Sequence, residues 1–254
     1  MKSKRLEFTG SLGHKLSALL DLPENGQPSV FGIFAHCFTC NKNYKILNHV
    51  NQALTEHQIA VLRFDFTGLG ASQGSFADTN FSSNVEDIIA AANFLEINYD
   101  SPQLLVGHSF GGAAVIQAAN RISSCRAVVA IATPANLDSI RYLILTKKDE
   151  LEAKGEAVFT ISGRQFRIKK QFLDDLEQIN MNKSIADLNK PLLIFHSSVD
   201  AFVSIENAHQ IFTMANHPKG LITLNKADHL LSDENDAKYV GQIIVAWSSE
   251  FFQS

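Results

Sequence analysis

Short apolar runs alternate with longer helical patterns along most of the chain. Seven runs are apolar at nearly every position, which is typical of strands buried on both faces of a parallel sheet. These runs are LSALLDL (16–22), SVFGIFAHC (29–37), IAVLRFDF (59–66), QLLVGHS (103–109), AVVAIATP (127–134), PLLIFHSSVD (191–200) and GLITLNKADH (220–229). Apolar residues at helical spacing lie between them, in 43–57, 82–98, 110–122, 205–215 and 234–252. The alternation predicts an α/β protein with a mostly parallel, doubly wound sheet of about eight strands.

Two parts of the chain depart from this alternation. Segments 5–8 and 15–22 favour an antiparallel hairpin that leads into the sheet. Residues 135–186 hold many charges and no strand of the buried type. Within them we predict a small hairpin that turns at Ser162-Gly163 and a short helix over QFLDDLEQI. Because about 50 residues make a poor core of their own, we interpret 135–186 as a lid inserted into a single domain, 1–254.

Composition excludes several classes of function. The net charge is -4 and the pI is about 6.1, so charge gives no argument for nucleic acid or an anionic membrane as partner. We find neither a signal peptide nor an apolar run of spanning length. Three cysteines do not form a disulfide framework. We therefore expect a cytoplasmic protein with reduced thiols and no membrane span.

GHSFGG (107–112) lies between the strand-like QLLV and a helical segment. The pattern G-x-S-x-G at a strand-to-helix junction is a nucleophile elbow. Such a turn needs small residues at Gly107 and Gly111, and it presents Ser109 at the carboxyl edge of the sheet. The alternative is an ordinary glycine-rich turn before a helix.

Two more residues follow later strands in the order that this chemistry needs. A serine hydroxyl becomes a good nucleophile only when a base accepts its proton. His229 follows the last strand-like run and precedes the last helix, which makes it the candidate base. Asp200 ends PLLIFHSSVD and is the candidate for orienting the imidazole. The chain order Ser109, Asp200, His229 is the order found in α/β-hydrolases.

These motifs resemble those of the serine α/β-hydrolase superfamily over nearly the whole chain. GHSFGG, FHSSVDAFV and ADHLL resemble its nucleophile, acid and base segments. FDFTGLGASQG (64–74) resembles its D-x-R-G-x-G-x-S loop, with Thr67 in place of the arginine. AHCFTC is similar to the hydrolase half of bacterial fusions with an OsmC-type peroxidase domain. No OsmC domain follows here, so peroxidase activity is not expected to carry over.

The resemblance also implies an oxyanion hole. The loop after the third strand should donate one backbone N–H and the residue after the nucleophile the other. By resemblance the donors are Phe38 and Phe110, with Cys37 as the alternative first donor because it occupies the usual glycine position. His36, Cys37 and His108 are expected to line the substrate pocket.

Cys37 and Cys40 form a C-x-x-C pair in this loop. Such a pair serves as a redox dithiol or as half of a zinc site in other settings. No second C-x-x-C exists, and a thioredoxin-like pair belongs to a smaller fold. We interpret Cys37 as a small residue of the pocket wall.

The segment FDFTGLGASQG also partly matches a dinucleotide-binding fingerprint. It lacks the third glycine of that fingerprint, because Gln73 stands there.

The resemblance implies a carboxylesterase that cleaves short-to-medium acyl esters through an acyl-enzyme on Ser109, without metal or organic cofactor. Thioester hydrolysis and aminopeptidase-like hydrolysis on the same three residues remain alternatives. So does a hydrolase fold that only binds. A further alternative is a partnership with a separately encoded OsmC-type protein.

Overall fold

The computed structural model describes residues 1–252, which form ten strands. They are β1 (Lys2–Thr9), β2 (Lys15–Leu22), β3 (Val30–Ala35), β4 (Ile59–Phe64), β5 (Leu104–His108), β6 (Ala127–Ile131), β7 (Glu156–Ile161), β8 (Arg164–Lys169), β9 (Leu192–Ser197) and β10 (Lys219–Leu224). The central strands β3, β4, β5, β6 and β9 are buried at every position. The continuous apolar runs therefore reflect burial on both faces of the sheet.

Eight strands form the main sheet in the order β1-β2-β4-β3-β5-β6-β9-β10. β2 is antiparallel to both β1 and β4, and the other neighbours are parallel. The predictions of a mostly parallel sheet of about eight strands and of an antiparallel opening hairpin are confirmed. The strand order reverses where β3 lies between β4 and β5, and ligands of doubly wound sheets bind outside the strand ends at such a point.

Nine α-helices occur within residues 1–252. They are α1 (Lys45–Glu56), α2 (Phe81–Asn98), α3 (Phe110–Ala119), α4 (Asp138–Leu145), α5 (Lys148–Lys154), α6 (Lys170–Gln178), α7 (Met181–Ala186), α8 (Glu206–Met214) and α9 (Glu234–Phe252). The five helices predicted between the strands correspond to α1, α2, α3, α8 and α9, with ends that differ by a few residues. None of the nine is long and apolar enough to cross a membrane.

The helices cover both faces of the sheet and make two apolar cores. Successive strand residues point to opposite faces, so Ile33 joins one core and Phe34 the other. Helices α1 and α9 close one core, for example through Val50 and Ile244. Helices α2 and α3, together with residues of the 135–186 insertion, close the other.

The insertion consists of α4, α5, the hairpin β7–β8, α6 and α7. β7 and β8 pair from Glu156–Lys169 to Ile161–Arg164, so the hairpin turns at Ser162-Gly163 as predicted. Both turn residues have positive φ, 49° and 76°. Buried side chains of the insertion, among them Phe159, belong to the same core as α2 and α3. The insertion is thus packed onto the α/β body.

Candidate active site

Ser109 occupies the sharp turn between β5 and α3. Its φ of 54° and ψ of -120° are rare for a residue with a side chain, and strain of this kind is concentrated at functional sites. A Cβ on Gly107 would lie 2.3 Å from the carbonyl oxygen of Gly111, and one on Gly111 would lie 2.4 Å from that of Ala35. The turn therefore requires glycine on both sides of Ser109, for the reason that the sequence pattern indicates.

The structure brings Ser109, His229 and Asp200 together from three separate strand ends. Nε2 of His229 lies 3.1 Å from Oγ of Ser109, and its Nδ1 lies 2.8 Å from Oδ2 of Asp200. The carboxylate accepts a hydrogen bond from Nδ1–H, which leaves Nε2 free to accept the proton of the Ser109 hydroxyl. This arrangement activates a serine as a nucleophile.

Backbone and electrostatic contacts keep Asp200 ionised. Its side chain is fully buried, and Oδ1 accepts the N–H groups of Phe202 at 2.8 Å and Val203 at 2.9 Å. Burial alone raises the pKa of this carboxyl. The hydrogen bonds from the imidazole and from the two N–H groups outweigh burial, so the pKa of Asp200 lies below its ordinary value.

His108 and His36 were expected in the pocket, but both are fully buried and neither lines the cavity. His108 Nε2–H donates to the carbonyl oxygen of His229 at 2.7 Å, so it holds the backbone that carries the candidate base. His36 Nδ1–H donates to the carbonyl oxygen of Cys37 at 2.8 Å, and its ring packs edge-on against Phe66. The prediction is corrected because β3 and β5 direct both rings into the protein, away from the cavity.

The loop after β3 forms a tight turn beside the elbow. The N–H of Cys40 donates to the carbonyl oxygen of Cys37 at 3.1 Å, and Phe38 and Thr39 lie between them. Within residues 1–252 the N–H groups of Phe38 and Phe110 donate to no protein acceptor, and their rings are 5.1 Å apart. The residue with positive φ is Thr39, at 60°, and not Cys37. The turn thus adapts through Thr39, and Cys37 occupies the usual glycine position without that strain.

Cys37 and Cys40 are joined by a disulfide, with Cα atoms 5.3 Å apart. The expectation of reduced thiols is therefore wrong for this pair. The i to i+3 turn brings the two Cα atoms within the range in which a disulfide forms, which residue spacing alone did not show. Cys125 is a free, buried thiol, and burial raises its pKa to about 12.

A cavity of about 300 Å³ opens onto Ser109 and His229. Cys37 contributes to its wall, as expected, together with both predicted oxyanion donors. The insertion supplies residues that we did not predict from sequence, among them Ile140, Leu143 and Arg164. The amphipathic pattern of α4 is the sequence signal that could have identified Ile140 and Leu143. The guanidinium of Arg164 donates to the carbonyl oxygen of Thr39, which connects the β7–β8 hairpin to the turn after β3.

The segment FDFTGLGASQG (64–74) contacts the turn after β3 and stabilises it. Asp65 accepts the backbone N–H of Lys42 at 2.6 Å and its Nζ at 2.5 Å, which fixes the end of the turn after β3. A Cβ on Gly70 would lie 2.2 Å from Asp65 Oδ2. Thr67, at the arginine position of the D-x-R-G-x-G-x-S pattern, donates its N–H and hydroxyl to the buried Asp87. The segment is therefore a structural loop, which agrees with the missing third glycine of a dinucleotide fingerprint.

Residues 33–161 match the family model described as serine aminopeptidase, S33 (Hydrolase_4). The chain belongs to this family. The match includes the elbow and the turn after β3, and the fold of the whole chain is that of an α/β-hydrolase, as the motifs of the sequence indicated.

Solved structures extend the similarity over the full chain. The esterase domain of a Rhodothermus marinus protein is 44% identical with a TM-score of 0.82, and the match covers 100% of both chains. Est1E from Butyrivibrio proteoclasticus, solved with ferulic acid, is 22% identical with a TM-score of 0.80 over 96% of this chain and 98% of that one. At that identity the second match shows the fold alone.

Among curated relatives, the mitochondrial palmitoyl-protein thioesterase ABHD10 of Mus musculus is 28% identical over 186 residues. The match covers 70% of this chain and 61% of that protein. The chain therefore spans about three fifths of the length of this relative.

Proposed function

We propose that the protein is a serine carboxylesterase that cleaves short-to-medium acyl esters through an acyl-enzyme on Ser109. One observation carries the proposal. The hydrogen-bonded chain from Ser109 through His229 to Asp200 opens into a mainly apolar cavity. A nucleophile, a base and an orienting acid at the mouth of such a cavity are the parts that acyl transfer requires.

In the proposed reaction, His229 accepts the proton of Ser109 while the serine oxygen attacks the ester carbonyl. The N–H groups of Phe38 and Phe110 stabilise the negative oxygen of the tetrahedral intermediate. His229 then gives its proton to the leaving alcohol, and in the second half it activates the water that releases the acid. Asp200 stays ionised throughout and holds the imidazole tautomer, as its lowered pKa favours.

Cavity size supports short or medium chains. A volume of about 300 Å³ is at the small end of the range for small-molecule sites. Apolar side chains of Leu137, Ile140 and Leu143 line the wall, where they suit an acyl chain rather than a sugar or a peptide. The name of the 44% identical Rhodothermus marinus domain also supports ester hydrolysis.

Thioester hydrolysis is the second candidate, because a curated relative is a palmitoyl-protein thioesterase. The same three residues would serve a thioester. Aminopeptidase-like hydrolysis has less support, since recognition of a free α-ammonium group needs a carboxylate near the scissile bond. Among the described residues that line the cavity none is Asp or Glu, and the one guanidinium is that of Arg164.

The test compares wild type with Ser109→Ala on p-nitrophenyl esters from C2 to C12, matched acyl thioesters and alanine p-nitroanilide. A fluorophosphonate probe labels the activated serine. We expect ester turnover that peaks at C4 to C8, depends on Ser109 and accompanies labelling of that serine alone. Faster turnover of the matched thioesters would favour the second candidate. No turnover and no labelling would leave a hydrolase fold that only binds.

A further inference from the structure

The disulfide between Cys37 and Cys40 closes the turn that carries Phe38. Both cysteines line the cavity, and each is 6% exposed. The bond joins the residues on either side of Phe38 and Thr39. Within residues 1–252 the Phe38 N–H donates to no protein acceptor. A covalent bond at this position acts directly on the placement of the Phe38 N–H.

The turn contains a residue in an unfavourable conformation. Thr39 is β-branched and has a φ of 60°, a region that such residues rarely adopt. Two hydrogen bonds oppose its relaxation. His36 donates to the carbonyl oxygen of Cys37, and Arg164 donates to that of Thr39. Each of these hydrogen bonds holds one carbonyl oxygen of the turn, whereas the disulfide holds both ends of the turn together.

The bond contributes little to the stability of the whole fold. Stabilisation by a disulfide grows with the length of the loop that it closes, and the two cysteines here are separated by only three positions. Hydrophobic burial already secures the strands on either side, because β3 is buried at every position. The position of the bond at the candidate oxyanion hole therefore points to a local role.

We propose that Cys37 and Cys40 form a reversible thiol–disulfide site that controls the oxyanion hole, with the disulfide form as the more active state. The inference rests on the proposed esterase function. Two molecules of a low-molecular-weight thiol reduce the bond. The first thiolate attacks one sulfur of the bond and forms a mixed disulfide with the protein. The second thiolate attacks that mixed disulfide and releases the protein thiol. The products are one small-molecule disulfide and two protein thiols, so two electrons and two protons enter the protein.

Access to the sulfurs sets the class of reductant. The cysteines are reached through the cavity, which admits a small thiol and excludes the active site of a protein reductant. An acyl chain in the same cavity should shield the bond, because it occupies the approach to both cysteines. Cys125 takes no part in the exchange. It is fully buried, does not line the cavity, and burial raises its pKa to about 12.

The experiment uses the full chain with Cys125→Ala, which removes the third thiol and leaves the cavity unchanged. The protein is treated with reduced or oxidised glutathione, blocked with iodoacetamide, and its thiol state is read by mass spectrometry. Hydrolysis of p-nitrophenyl butyrate is measured on the reduced protein and on the oxidised protein, in samples that have not been blocked. We expect kcat to fall about tenfold on reduction, short of the roughly 10²–10³-fold loss for a missing donor, because His36 and Arg164 still hold the turn. KM should change less than about twofold, since an oxyanion contact acts in the transition state.

Two further measurements make the result specific to this geometry. Labelling of Ser109 with an alkyl fluorophosphonate should slow reduction of the bond by glutathione several-fold. The double variant Cys37→Ser/Cys40→Ser, made in the Cys125→Ala protein, should match the reduced Cys125→Ala protein in kcat and should not respond to glutathione. Reduced and oxidised Cys125→Ala protein both keep Cys37 and Cys40, so the comparison between these two forms stands even where the double variant folds poorly.

The outcomes separate the two proposals. Complete reduction with an unchanged kcat overturns the redox inference and leaves the esterase proposal intact. The inference also fails if the two cysteines stay as free thiols in excess oxidised glutathione. Absence of hydrolysis and of Ser109 labelling in both forms overturns the esterase proposal and this inference with it.

Discussion

Gly111→Ala tests whether the elbow and the turn after β3 must touch for activity. A Cβ at Gly111 would lie 2.4 Å from the carbonyl oxygen of Ala35 and 2.5 Å from that of His36. Ordinary contacts of this kind are at least 3.4 Å, so the backbone just before Phe38 would have to move by about 1 Å. That backbone leads directly into the candidate oxyanion hole.

A displacement of this size has a predictable effect on catalysis. Donors must lie about 2.7–3.1 Å from the developing oxyanion, and a shift of about 1 Å removes most of one such bond. We expect kcat/KM on p-nitrophenyl butyrate to fall about 100-fold, which corresponds to about 2.7 kcal/mol of transition-state stabilisation. Overpacking should also lower the free energy of unfolding by about 1–3 kcal/mol.

A matched variant separates the two effects. A Cβ on Gly241 in α9 would lie 2.7 Å from the Cβ of Ala53, on the face of the sheet away from α3. Gly241→Ala should therefore reduce stability to a similar extent and leave kcat/KM near that of wild type. Both are measured by urea unfolding and ester hydrolysis. A folded Gly111→Ala protein within threefold of wild-type activity would refute the reasoning.

Three further predictions concern the groups around His229. Asp200→Asn should keep the fold and lower kcat by roughly 10³–10⁴, because an amide favours the wrong imidazole tautomer; retained hydrolysis at the wild-type rate would contradict this. His108→Leu should lower kcat about tenfold, since it removes the donor to the carbonyl oxygen of His229, whereas His108→Gln keeps a donor and should recover part of the loss. Equal activity of the two variants would show that this hydrogen bond does not position the base. The third prediction is pH-dependent stability: burial lowers the pKa of His36 to about 4 and that of His108 to about 3. Both lie below the ordinary value of about 6.5, so the unfolded chain binds more protons and stability falls as pH drops from about 6.5 towards the folded-state values. Between pH 7 and 5 His108 should account for about 2 kcal/mol, and urea unfolding of His108→Gln should show a pH dependence smaller by that amount. An unchanged pH dependence would contradict burial of a neutral ring.

Local pattern was sufficient for the main sheet, for the helices between its strands and for the order of the chemistry along the chain, but it did not predict α4, α5 and α7 of the insertion. Strands buried on both faces leave continuous apolar runs, and helices docked on a sheet leave a stripe at helical spacing. The hairpin turn at Ser162-Gly163 was equally readable, because a turn with positive φ leaves a local signature. Ser109, Asp200 and His229 could be selected because each follows a strand, and parallel strands end at one edge of a sheet.

Which side chains face the cavity depended on the tertiary structure. His108 stands next to Ser109 in the chain, yet its ring points into the protein and binds the backbone of His229, 121 positions away. Arg164 reaches the turn after β3 from an insertion 125 positions away. Neither contact has a periodicity that a sequence could display, because each depends on how separate elements pack.

The cysteine pair shows the same division. The residues of C-x-x-C and their place after the third strand are properties of the sequence alone. The bond between them depends on the tight turn from Cys37 to Cys40, which Thr39 permits by adopting a positive φ. The sequence by itself determined the fold class and the order of Ser109, Asp200 and His229, because both follow from local periodicity and from strand ends. Only the tertiary structure decided the disulfide, the walls of the cavity and the partners of the buried histidines, because these depend on distances between residues that the chain does not place side by side.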